Sequence, residues 1–191
     1  MEFKGSRTER SVLAAFAGES QARNRYSFFS SAARKEGFEQ VAAVFQKTSD
    51  EEREHAKLFF IKLKGGVVEM TAAYPAGVIG DTIENLSAAA EGEKMEWSTI
   101  YPSFAKIAEE EGFVDIANLF SKVALVEANH ERRFAKLLSN IEQGVVFKKD
   151  SPVKWYCRNC GYVQEESVAA PATCPVCNHP QSYFEMYGEN Y

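Results

Sequence analysis

One seam, written twice, constrains this chain more than any other feature. Ile116, Phe120, Val123, Glu127, His130, Phe134, Leu137 and Ile141 follow one another at alternating four- and three-residue steps. That is the spacing of inward positions on a helix packed in a bundle. Two members of the seam are not apolar, and they are a carboxylate and an imidazole one turn apart. The same spacing runs through Val41, Phe45, Thr48, Glu52, His55 and Phe59, and the two Glu-x-x-His pairs stand 75 residues apart. At that offset Glu36-Gly37-Phe38 also matches Glu111-Gly112-Phe113, Tyr26 matches Tyr101, and Phe29 matches Phe104. The chain therefore holds two copies of a helical hairpin. A single histidine on an apolar face is usually a satisfied core residue, but two Glu-x-x-His pairs in register on repeated seams are not explained that way. A buried carboxylate costs on the order of several kcal/mol unless it is paired or metal-bound. Each seam calls for a cation inside the bundle.

The spacing predicts four helices, over about 6–35, 38–64, 81–111 and 113–142. Val12, Phe16, Glu19 and Tyr26 share a face of the first, which Gly37 stops. The third carries Leu86, Ala90, Glu93, Trp97, Ile100, Phe104 and Ile107 on its seam, with Pro102 expected to bend it or remove a hydrogen bond. The connection 65–80 exceeds the ~2–8 residues of an ordinary helix–helix link. It can cross the end of a bundle and set helices two and three parallel. Four long helices with one long crossover describe a mainly α, ferritin-like four-helix bundle over 1–144. Residues 145–154, with Pro152, read as a linker. Residues 155–191 hold all four cysteines and no helical period, and read as a second domain too small to do without a metal staple.

Ferritin-like di-metal carboxylate proteins take one Glu from each of two helices and a Glu-x-x-His pair from each of the other two. This chain supplies Glu19, then Glu52 with His55, then Glu93, then Glu127 with His130. Glu19 and Glu93 both follow a glycine, at Gly18 and Gly92, which sets them apart from glutamates of a solvated face. Tyr26 and Tyr101 lie two turns on, where a phenol can bond a ligand carboxylate or simply fill the core. The offset between the repeats is 74 at the two Gly-Glu pairs and 75 at the tyrosines. Helix three thus holds one extra residue between Glu93 and Tyr101, and such an insertion is commonly absorbed as a π-bulge at a functional site. Glu96, which pairs with Ala22 at the smaller offset, becomes a seventh candidate ligand without a symmetry mate.

Cys157-Arg158-Asn159-Cys160 and Cys174-Pro175-Val176-Cys177 form two knuckles separated by 13 residues. Four thiolates in a tetrahedron hold zinc or iron, and spacing alone fits a zinc ribbon as well as an iron site. The wording Cys160-Gly161-Tyr162 and Cys174-Pro175-Val176-Cys177, with Trp155, Tyr156 and Phe184, is similar to rubredoxin. A net charge of −5 with no basic run argues against nucleic acid and against a membrane surface. No stretch approaches the ~18 apolar residues of a membrane span, and the first ten residues are polar, so the expected compartment is the cytoplasm. In that compartment C-x-x-C pairs point to metal rather than disulfides.

With both sites in one chain, nearly the whole sequence resembles the rubrerythrin family. The paired Glu-x-x-His helices, Glu93-x-x-Glu96 and the four-cysteine segment carry the resemblance, as do the stretches 17–26 and 101–105. The resemblance implies a non-haem di-iron centre, one further iron on the four cysteines, and a peroxidase that reduces hydrogen peroxide to water in oxidative-stress defence. It also implies electrons from an NAD(P)H-dependent reductase, often through rubredoxin. The assembly would be a homodimer in which the thiolate-bound iron of one subunit serves the di-iron site of the other. One iron would exchange Glu96 in the diferric state for His55 in the diferrous state, because an anionic carboxylate compensates Fe(III) better. Glu96, His55, Tyr26 and Tyr101 are therefore the expected catalytic residues. Other readings of the residues stay open: a ferroxidase or iron-storage protein, a di-iron oxygenase with an apolar pocket, or a zinc-binding adaptor without activity.

Overall fold

Helix α1 (Arg7–Lys35) starts where the Ser6 hydroxyl accepts the Glu9 N–H at 2.9 Å, a side-chain cap on an otherwise unpaired donor. It ends before Gly37, whose φ of +84° is a left-handed conformation open to glycine at little steric cost. The chain then enters α2 (Glu39–Lys62). Gly112 repeats that turn at the same φ between α4 (Tyr101–Glu110) and α5 (Val114–Glu142). The glutamate before each glycine caps the other hairpin. Glu111 accepts the Thr8 N–H at 2.9 Å, and Glu36 accepts the Thr82 N–H at 3.0 Å. Each places a carboxylate at a helix N-terminus, where the helix dipole favours it. This computed structural model describes residues 2–189; Met1, Asn190 and Tyr191, at the ends of the two expected domain ranges, lie outside the described residues.

The chain from Leu63 to Gly80 has no regular structure beyond a turn and bends. It leads to α3 (Thr82–Met95), which opens with a capping box between Asp81 and Glu84. Helix α1 packs along α2 and α5 along α3 and α4, while α1 meets α3 and α4, and α2 meets α5. The seams predicted on α2 and α5 are buried throughout, except for the half-buried Ile141. Two aromatic layers result. Phe45 and Phe134 meet at 5.0 Å beside Tyr26, and Phe59 and Phe120 meet at 5.2 Å beside Tyr101. These layers are related by the 75-residue repeat, and the Glu-x-x-His pairs lie between them.

The third helix departs from its predicted seam. Residues Glu96–Ile100 form a π turn, and the Tyr101 N–H donates to the Glu96 carbonyl, five residues back. One inserted residue turns everything after it by about 100°. The buried positions are therefore Tyr101, Ala105 and Ala108 rather than Trp97, Phe104 and Ile107. Trp97 instead donates its indole N–H to Glu131 at 2.7 Å. Pro102 falls in the first turn of α4, where a missing N–H is tolerated.

The C-terminal segment forms an antiparallel sheet in the order β2–β1–β3, with β1 at Lys148–Cys157, β2 at Val163–Ala169 and β3 at Phe184–Met186. The segment read as a linker, 145–154, is thus in strand conformation from Lys148 on. The pairing of β1 with β2 shifts register on both sides of Val153, next to Pro152, as a proline in a strand requires. Trp155, Cys157, Cys174 and Phe184 form a small buried core. Phe147 stacks on Phe38 with centroids 6.4 Å apart, which seats the sheet at the α1–α2 turn. Among the described residues no helix is long and apolar enough to cross a membrane.

Candidate metal centres

Between the aromatic layers the donor atoms of Glu19, Glu52, His55 and Glu127 all lie within 4.8 Å of one another, and so do those of Glu52, Glu93, Glu127 and His130. Glu52 and Glu127 belong to both groups. Each group adds one Gly-Glu glutamate and one histidine, so the sequence repeat has become a local pseudo-two-fold. The six residues read from the sequence as ligands are brought together.

Whether these groups suit cations can be judged from what they leave unpaired. His130 Nδ1 stands 2.8 Å from Glu127 Oε2 and 2.9 Å from Glu52 Oε1, yet it hydrogen-bonds to neither. Glu19 Oε2, Glu52 Oε1, Glu93 Oε2 and both Glu127 oxygens are likewise buried without a partner. An imidazole nitrogen offers one proton or one lone pair, so it cannot satisfy this set. Two divalent cations can, and they also cancel the four charges of fully buried Glu19, Glu52, Glu93 and Glu127. Without metal the pocket takes up protons instead. Burial and the Glu52 charge push Glu19 well above the usual carboxylate range, and together they push Glu93 to about 8. Burial opposes the other shifts but is overcome. The nearby histidines hold Glu52 at about 2. The close carboxylates raise His55 to about 10 and His130 to about 12.

Both tyrosines reach ligand carboxylates, but across the bundle. Tyr26 donates to Glu93 at 2.5 Å, and Tyr101 donates to Glu19, so each phenol holds the glutamate of the other hairpin. Glu96 lies outside both donor groups. It is half-buried on the π turn, and its carboxyl is pushed well above the usual range by burial and by the charges of Glu93, Glu127 and Glu52.

The pseudo-symmetry fails at one further place, which the sequence reading missed. His130 Nε2 stands 3.2 Å from Glu51 Oε2, and Glu51 is held by Arg133 Nη2 at 2.8 Å. The position 75 residues on from Glu51 is Val126, which lines a surface pocket together with His55. Among the described residues no acceptor meets His55 Nε2. His130 is pinned from outside and His55 is not. The available signal was a glutamate beside ligand Glu52 whose repeat mate is a valine.

In the sheet domain the four cysteine sulfurs lie within 4.8 Å of one another. Cys157 and Cys177 are 3.8 Å apart, Cys160 and Cys174 are 3.6 Å apart, and none is in a disulfide. The His179 backbone N–H does most to draw the Cys177 thiol down to about 6. Amides that favour thiolates in this way suit a cation held by four sulfurs.

A ferritin-like bundle with two donor groups sharing a pair of carboxylates, joined to a four-thiolate sheet domain, defines a carboxylate di-metal protein with a rubredoxin-like appendage. The family model "Rubrerythrin" matches residues 11–138, and "Rubrerythrin, rubredoxin-like domain" matches residues 155–185. A rubrerythrin of Porphyromonas gingivalis is 57% identical over 188 residues, covering 98% of this chain and 94% of its own. A rubrerythrin of Nitratidesulfovibrio vulgaris is 53% identical over 188 residues, with 98% of each chain covered. Among solved structures, fully reduced, all-ferrous nigerythrin superposes with a TM-score of 0.63 at 30% identity, covering 97% of this chain and 91% of that one. The chain belongs to the rubrerythrin family. Its cofactors are a di-iron centre in the bundle and one iron in the rubredoxin-like domain.

Proposed function

We propose that the protein is a peroxidase that reduces hydrogen peroxide to water, with electrons entering through the four-cysteine site. The observation that carries this reading is the sharing of Glu52 and Glu127 between two donor groups in a chain that also holds a four-thiolate site. A centre able to give two electrons is thereby coupled to a one-electron carrier. When bound, two ferrous ions supply one electron each, which matches the two-electron cleavage of an O–O bond.

The residues divide the remaining work. Glu52 and Glu127 would serve both metal positions, with Glu93 and His130 completing one and Glu19 and His55 the other. Tyr26 and Tyr101 fix the Glu93 and Glu19 carboxylates through their phenol hydrogens. Glu96, on the π turn, would be the alternative donor to His55, whose Nε2 meets no acceptor among the described residues. Cys157, Cys160, Cys174 and Cys177 hold the electron-carrying iron.

The working unit in this reading is a homodimer in the cytoplasm, reduced by an NAD(P)H-dependent reductase or by rubredoxin. Glu52 lies 14 residues along α2 from Phe38, where the sheet domain docks. At 1.5 Å per residue that is about 21 Å along the axis, which supports delivery across two subunits rather than within one. Cys160→Ser should abolish reductase-driven turnover while the chemically reduced protein still reacts once with hydrogen peroxide. Mixing that variant with a Glu127→Ala subunit should restore turnover in the hybrid. Full steady-state activity of Cys160→Ser would overturn the relay. A confirmed hybrid dimer without activity would overturn the exchange. Iron accumulation far beyond three ions per subunit, without peroxide turnover, would favour a ferroxidase.

A further inference from the structure

We propose that the cavity between α1, the π turn and the crossover binds organic hydroperoxides, which the same centre reduces to alcohols. The inference rests on the peroxidase reading and widens its substrate class. The cavity encloses about 320 Å³. Hydrogen peroxide needs only ~60 Å³ if each of its oxygens is counted as a water of ~30 Å³. A space several times larger, within the range of small-molecule sites, has room for a carbon tail.

The lining is built for such a molecule. Ala14, Ala15, Met95 and Phe104 give an apolar wall. Gly18 and Gly92, which precede Glu19 and Glu93, also line the cavity, and a Cβ at either would meet nothing within 4 Å. Any side chain there would project into the space, so the two glycines keep it open beside the metal ligands. The crossover forms the roof. Tyr74 donates its hydroxyl to the Ala14 carbonyl at 3.1 Å, and Gln21 donates to the Pro75 carbonyl at 2.9 Å.

Two polar residues, Arg25 and Glu96, line the same space. Glu96 makes no hydrogen bond among the described residues, and the Arg25 charge acts on its carboxyl. A hydroperoxide suits this lining, because its O–H can donate to a Glu96 oxygen while the Arg25 guanidinium supplies a positive charge beside its oxygens. The carbon tail then lies along the alanines under the crossover. In the reaction R–O–O–H takes two electrons and two protons, the O–O bond breaks, and R–OH and water leave. The electrons come from the reduced protein, as for hydrogen peroxide, and the protons come from solvent.

The test uses full-length, iron-loaded protein, reduced with dithionite and freed of the excess. Reoxidation by hydrogen peroxide or by cumene hydroperoxide is followed at the absorbance of the four-thiolate iron. Calorimetry measures binding of the product alcohol, 2-phenyl-2-propanol. The two peroxides should react at rates of the same order, and one alcohol should bind per subunit. Ala73→Trp, which fills the cavity from the exposed crossover, should lower the cumene-to-hydrogen-peroxide rate ratio at least about tenfold, as filling an apolar pocket does, and should remove alcohol binding. Ala14→Leu, which fills it from α1, should act in the same direction. Reoxidation by hydrogen peroxide but not by cumene hydroperoxide would overturn the inference and leave the peroxidase reading standing. So would ratios and binding unchanged in both variants. Failure of both peroxides would overturn the peroxidase reading itself, and the inference with it.

Discussion

Replacing Glu51 should loosen one bundle metal and leave the other in place. Glu51 Oε2 sits 3.2 Å from His130 Nε2 and 2.8 Å from Arg133 Nη2, and Arg133 also donates to Thr48 at 2.7 Å. The carboxylate is thus held by a cation while it orients the ring whose other nitrogen faces Glu52 and Glu127. This close contact of an imidazole nitrogen with a carboxylate is the kind of outer partner whose loss costs a ligating histidine roughly 10- to 100-fold in metal affinity. Its removal therefore weakens the His130 metal position by that span, which at ~1.4 kcal/mol per factor of ten is about 1.4–3 kcal/mol. Glu51→Gln retains a neutral acceptor and belongs at the low end; Glu51→Val, which copies residue 126, belongs at the high end.

The assay is metal release against increasing chelator, with the four-cysteine iron tracked separately by its absorbance. Wild type should release its bundle metals together or nearly so. In Glu51→Val one of the two should leave at roughly 10- to 100-fold lower chelator concentration. The converse change, Val126→Glu, offers His55 Nε2 the acceptor it lacks. Both metals should stay bound in that variant, and structures of its oxidised and reduced forms should show His55 in the same position. Coincident release of both metals from Glu51→Val at the wild-type concentration would refute the pinning argument. So would a His55 that still withdraws in Val126→Glu.

Three further outcomes follow from the same geometry. Tyr101→Phe leaves a buried Glu19 oxygen without its donor, and should lower stability by about 1–3 kcal/mol in thermal unfolding; an unchanged midpoint would show that this bond contributes nothing. Glu96→Ala should keep two irons per bundle yet lose most peroxidase turnover, and unchanged turnover in the fully metallated variant would count against the exchange with His55. Metal-free protein should become less stable as pH rises through the neutral and alkaline range, because Glu93 at about 8, His55 at about 10 and His130 at about 12 all keep protons that the unfolded chain has released. Below about pH 4.5 the sign reverses, since Glu52 at about 2 stays ionised while unfolded glutamate protonates; metal-loaded protein, whose ligands are already deprotonated, should lack the alkaline decline in unfolding scans.

The parts of this molecule legible in its sequence are those where burial and charge conflict at a repeated position. Glu52, His55, Glu127 and His130 stood out because polar groups on an apolar seam need a partner, and the structure collects them with Glu19 and Glu93 into two groups sharing two carboxylates. Contacts between helices were not legible. The crossing of Tyr26 to Glu93 and Tyr101 to Glu19, and the hold of Glu51 on His130, depend on how α1 meets α3 and α4 and how α2 meets α5, which no periodicity within one helix encodes. The strand beginning at Lys148 was hidden because Pro152 and the register shifts around Val153 break the two-residue alternation. The misplaced seam of the third helix is a different kind of error. A four-three count carried from Glu93 through the inserted residue gives Trp97, Phe104 and Ile107. Restarted at Tyr101, where the offset settles at 75, the same count gives Ala105 and Ala108, which are buried. Their repeat mates Ser30 and Ala33 are buried as well. The change of offset that located the π turn also marked where the helical count had to begin again.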